Sequence, residues 1–82
     1  MTKAQEMKNI MESAKMMIEF STKQELIDNL HKVCMIDNAG DIAYRTIFEQ
    51  YMSMSAVLHP SVAIDNIIAG IEKHADHYNA SK

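Results

Sequence analysis

His74 and His77, with Asp76 between them, are the residue types and spacing in this chain best suited to hold a metal ion. On an α-helix, positions three apart lie on neighbouring faces, so both imidazoles could reach one ion. A zinc site needs three or four ligands, however, and the only cysteine, Cys34, is expected inside the protein. The plainer reading puts His74 beside the core and His77 in solvent near a helix end, where a protonated imidazole suits the macrodipole. No metal or cofactor is expected.

Nucleophilic and acid–base chemistry fare no better. A catalytic cysteine needs a base and an orienting group beside it. Cys34 instead falls on an apolar stripe, where a free thiol behaves as a small hydrophobe. Tyr44, Tyr51 and Tyr78 also occupy apolar stripes, so burial with the hydroxyl at the edge is the ordinary reading. The carboxylate pair Asp37 and Asp41 has no spacing that serves general acid–base work. The chain is expected not to be an enzyme.

Charge argues against nucleic acid as a partner. The formal net charge is −3, and the lysines and the arginine are scattered singly, whereas phosphate binding draws on a basic patch. Anionic membrane surfaces are disfavoured for the same reason. One DNA-binding alternative stays open: a helix-turn-helix whose turn spans Ile36 to Asp41. Its second helix, I-A-Y-R-T-I-F-E-Q-Y, offers Arg45, Thr46 and Gln50 but also Glu49, with no flanking basic support.

The elements that must position these residues are helical. In Ser61–Tyr78, Ile64, Ile67, Ile68, Ile71, Ala75 and Tyr78 recur at steps of three and four and stack on one helix face. Other segments must cover that stripe. The first segment opens with Thr2 and Gln5 at capping-box spacing, followed by a stripe of Met7, Ile10, Met11, Ala14, Met17 and Ile18. Lys8–Glu12, Lys15–Glu19 and Arg45–Glu49 can pair at i,i+4. Ser21 and Thr22 then break the pattern, each with a Gln or Glu three residues on. The alternative is one long bent helix.

The second helix buries Leu26, Ile27, Leu30, Val33 and Cys34 and ends at Asn38-Ala39-Gly40, where Asn38 or Gly40 can turn left-handed. Asp41 caps a third helix with the stripe Tyr44, Ile47, Phe48, Tyr51, Ser55 and Leu58. His59-Pro60-Ser61 stops it and opens a fourth at Pro60 or Ser61. Asn79 to Lys82 are expected to fray. Two glycines and one proline in 82 residues are too few for a strand-and-hairpin protein. The expectation is all-α: a single domain over residues 1–82, a small antiparallel bundle of four helices, or three if the first two merge.

Several apolar residues point away from these stripes. Met16, Phe20, Met35, Ile36 and Met52 all lie off the expected core faces, and methionine is abundant, at eight residues. Flexible, polarizable methionine is over-used on adaptable binding surfaces. A small chain that leaves apolar area outside its own core buries it on a partner helix or by self-association. Met16, Phe20, Met35, Ile36 and Met52 are thus the candidate partner-binding residues, and a homo-oligomer is expected.

The remaining bounds are compositional. At 48% hydrophobic and 23% charged residues the chain is globular. A single cysteine permits no intramolecular disulfide and fits a reducing compartment. The polar start M-T-K-A-Q-E-M-K-N-I is unlike a signal peptide, and no apolar run is long enough to span a membrane. A cytoplasmic location is the expectation.

In its length, acidity, helical character and Met-rich start, M-T-K-A-Q-E-M-K-N-I-M-E-S-A-K-M-M-I-E-F, the chain resembles the small early proteins of T-even-type phages. More narrowly, it resembles their cytoplasmic accessory lysis-inhibition proteins, the soluble antiholins. The resemblance covers the full length and carries no functional residue across. It implies a non-enzymatic regulator in the host cytoplasm that binds the cytoplasmic N-terminal segment of a holin and delays hole formation. A phage or bacterial inhibitor of another host protein is permitted equally by the residues.

Overall fold

The computed structural model describes residues 1–80, and those residues are all-helical, with no strand among them. Five α-helices follow in order: α1 Lys3–Met17, α2 Lys23–His31, α3 Ile42–Ser55, α4 Pro60–Lys73 and α5 Ala75–Ala80. A π-helical segment, Lys32–Asp37, continues α2.

Each start has a chemical cause. The Thr2 hydroxyl accepts from the Gln5 amide at 3.2 Å. The Gln5 side chain turns away to Asn9 at 2.9 Å, so only half of the expected capping box forms. At α2 the box is complete: Thr22 Oγ1 accepts from the Glu25 amide, and Glu25 Oε1 accepts from the Thr22 amide at 2.8 Å. Thr22 is therefore the cap, and the turn at 18–20 separates α1 from α2 instead of merging them. Asp41 caps α3 through the Ala43 amide at 3.0 Å. Between α2 and α3, Gly40 takes the left-handed conformation at φ 86°, a geometry that costs glycine no Cβ clash.

The core joins one face of every helix from α1 to α4. Met7, Met11 and Ala14 of α1 meet Leu26 and Leu30 of α2, Ile47 and Tyr51 of α3, and Ile64, Ile67 and Ile71 of α4 in one buried cluster. Each fully buried Ile or Leu side chain contributes roughly 1.5–3 kcal/mol. α1 packs most extensively on α4. Lys8 Nζ reaches Glu72 at 3.1 Å and Lys15 Nζ reaches Asp65 at 2.7 Å, so along this pair the two helices run in opposite directions. Those lysines had been expected to pair within α1; α4 offers carboxylates in better reach. The ion pairs among the described residues do not include Arg45–Glu49.

Three further expectations are corrected. The Ser61–Tyr78 segment is two helices, broken at His74, whose backbone leaves the helical region at φ −112°, ψ 27°. Leu58 does not join the α3 stripe, because α3 ends at Ser55 and leaves Leu58 exposed in the connection. Asn79 is not frayed: its side chain accepts a hydrogen bond from the Ala4 amide at 2.8 Å. Ser81 and Lys82, expected to fray with it, lie outside the described residues.

Candidate functional site

The five off-stripe residues separate into distinct places. Met16, at the end of α1, is 76% exposed, and Phe20, in the turn that follows, is 85% exposed. With Lys15 and Glu19 they line a shallow depression of about 400 Å³. The Lys15–Asp65 ion pair ties this end of α1 to the early turns of α4. Exposed Val62 lies one helical turn before Asp65, and exposed Val57 and Leu58 lie in the connection that leads into α4. Met52, 38% exposed, sits in the last turn of α3, toward the same end.

Ile36 is elsewhere. It is exposed at the far end of the π segment, just before Asp41, and Asp41 is paired with Lys3 at the start of α1. Lys3 and Lys15 are roughly 18 Å apart along an α-helix, so Ile36 belongs to the opposite end of the molecule from Met16 and Phe20. Met35 is different again. It is half-buried and packs against the core cluster. A π-helix turns less per residue than an α-helix, and this rotates Met35 inward from the position that α-helical spacing predicts. Asn38 steadies the segment by donating from Nδ2 to the Val33 carbonyl at 2.7 Å. The five candidate residues therefore do not form one patch.

Val62 and Ile42, both exposed, are not singled out by the periodicity. Each lies within an otherwise apolar segment, and only the helix register in space separates it from buried neighbours.

The residues with chemical potential are held quietly. Cys34 is buried in the core, and burial pushes its thiol up to about 11, so it is a thiol at neutral pH. Tyr44 is raised to about 12 by burial and then by the negative charges of Glu6 and Asp41; its hydroxyl lies 3.5 Å from Glu6 Oε2. His74 lies at the break between α4 and α5, whereas His77 lies within α5 and stacks edge-on to Tyr78 at 5.8 Å between ring centroids. Among the described residues, no three His, Cys, Asp or Glu side chains converge to hold a metal. His31 packs edge-on against Phe48 at 5.5 Å, an aromatic contact between α2 and α3 that sequence spacing did not single out.

No family model, curated protein or solved structure matches the chain. No helix of the described residues is long and apolar enough to cross a membrane.

Proposed function

We propose that the chain is a non-enzymatic, protein-binding regulator that receives an amphipathic partner helix at the end of a small antiparallel bundle carrying Met16 and Phe20. One observation carries the reading. Phe20 is almost wholly in solvent beside a largely exposed Met16, although a compact core stands ready a turn away. A contiguous exposed apolar patch on a small protein is a common mark of an interaction surface, and a methionine beside an aromatic ring adapts to a helical partner.

The resemblance to soluble antiholins supplies the candidate partner, the cytoplasmic N-terminal segment of a holin, and a host-cytoplasmic site of action. An inhibitor of another host protein would use the same surface. Self-association is the other way this area leaves water. The helix-turn-helix alternative gains no observation, since Arg45 is the single basic residue of α3.

The test is the double variant Met16→Lys with Phe20→Lys, checked for fold by circular dichroism. It should lose binding to a holin N-terminal peptide by tenfold or more, and any oligomer should fall to monomer mass in solution. Unchanged binding together with unchanged mass would overturn the proposal.

A further inference from the structure

α5 packs on α1 and α4 without adding a buried residue to the core. It has six residues, none of them buried. An isolated helix of that length does not hold itself in water, because nucleation outweighs so few hydrogen bonds. Its apolar contribution to the core is limited to Ala75 and Tyr78, both only partly buried. Its tie to α1 is the hydrogen bond from the Ala4 amide to Asn79 Oδ1 at 2.8 Å. Ala4 lies in the first turn of α1, where amides lack an intrahelical acceptor. Thr2 serves the Gln5 amide, which leaves Asn79 to serve Ala4.

α5 forms one side of a groove, through Ala75 and Asn79. The groove has a volume of about 280 Å³ between the start of α1 and the end of α4, with Ala4 and Ile71 among its lining. Both residues are otherwise buried. The Lys8–Glu72 ion pair bridges α1 and α4 beside it at 3.1 Å. At the other end of α5, His74 supplies the non-helical backbone about which the segment can turn, while its own amide stays bonded to the Gly70 carbonyl at 3.0 Å.

We propose that α5 is a strap, hinged at His74, which opens and closes over the α1–α4 groove without unfolding α1 to α4. Closed, it keeps Ala4 and Ile71 from solvent and fills the free donor at the start of α1. Open, it presents Ala4 and Ile71 together with the Ala4 amide, an apolar strip ending in a hydrogen-bond donor. Water replaces the one lost hydrogen bond, and only two partly buried side chains leave the core, so opening costs far less than global unfolding. A partner that binds the open form would shift this equilibrium by its preference for it.

Amide hydrogen exchange on the intact protein, resolved by residue, tests the proposal. The amides of Tyr78 to Ala80 and of Ala4 should exchange at least a hundredfold faster than those of Met11 and Ile67, with little dependence on low concentrations of denaturant. Asn79→Ala should speed exchange of the strap a further three- to tenfold and leave Met11 and Ile67 unchanged. If the strap and Ala4 instead exchange as slowly as Met11 and Ile67, with the same denaturant dependence, α5 opens only with the whole fold and the proposal fails.

Discussion

Lys3 Nζ lies 2.8 Å from Asp41 Oδ2, and the contact joins the start of α1 to the start of α3. Both side chains are largely shielded, unlike those of the other ion pairs. Asp41 also caps α3 through the Ala43 amide, so one carboxylate holds two helix starts together. Burial alone would raise the Asp41 carboxyl. The Lys3 ammonium and the Ala43 amide outweigh it and hold the group below the usual carboxylate value.

Acid should therefore weaken this joint. A carboxyl whose folded value is depressed contributes fully above its unfolded value, near 3.9, and loses that contribution as pH falls through the folded one. Asp41→Asn keeps a capping oxygen but removes the charge. It should cost roughly 0.5–1 kcal/mol at neutral pH and make stability less dependent on pH below about 4. Urea melts of both proteins from pH 2 to 7 check this. Parallel curves would show that the ion pair carries no stability.

Alkali should act through the opposite displacement. Burial raises Cys34 from 9.0 to about 11, and burial with nearby carboxylates raises Tyr44 from 10.0 to about 12. Groups raised in the folded state stabilise it fully below their unfolded values, and that stabilisation is lost as pH rises through the folded ones. Stability should fall from about pH 9 upward, because the unfolded chain loses these protons first. Cys34→Ala should be less stable at pH 7 by about 1–2 kcal/mol through lost packing. Its stability should also decline less between pH 9 and 11 than that of the natural chain. The check is thermal melting across that range, and an equal decline in both proteins would refute the role of the buried thiol.

Much of the frame is written in local chemistry. Asp41, Gly40, Thr2 and Pro60 do at their places what their side chains or backbones favour in isolation. The stripe Ile64, Ile67 and Ile71 is buried as its period predicts. What stayed hidden depends on partners distant in sequence. Lys8 and Lys15 chose α4 over nearer glutamates, and Asn79 found Ala4 across 75 positions. The π segment redirected Met35 because it changes the period itself, and no period count can anticipate its own interruption. The exposure of Met16, Phe20 and Ile36 was legible from register; that Ile36 lies at the other end was not.

The two glycines should respond oppositely to alanine. A Cβ at Gly70 would meet nothing within 4 Å, and the residue lies inside α4. Gly70→Ala should stabilise by about 0.5–1 kcal/mol through helix propensity and reduced unfolded-state entropy. A Cβ at Gly40 also finds open space, but φ there is +86°. Gly40→Ala should cost about 1 kcal/mol or more in backbone strain. Thermal unfolding should move Tm upward for the first and downward for the second. Equal shifts would mean that backbone conformation does not govern these sites.

Tyr51 offers a test of the core. Its side chain is fully buried, and its hydroxyl has no hydrogen-bond partner among the described residues. An unpaired buried hydroxyl carries a desolvation cost with no return. Burial also raises its ionisation above the ordinary phenol value, as expected for a group whose charged form nothing nearby favours. Removing one oxygen while keeping the ring preserves the contacts of α3 with the rest of the core. Tyr51→Phe should therefore be neutral or stabilising, by up to about 1 kcal/mol, whereas Tyr51→Ala should lose roughly 3–5 kcal/mol through the cavity it leaves. Denaturant midpoints at unchanged m-value decide it. A loss of more than 1 kcal/mol for Tyr51→Phe would mean that an internal water serves the hydroxyl, and the core would then be polar at its centre.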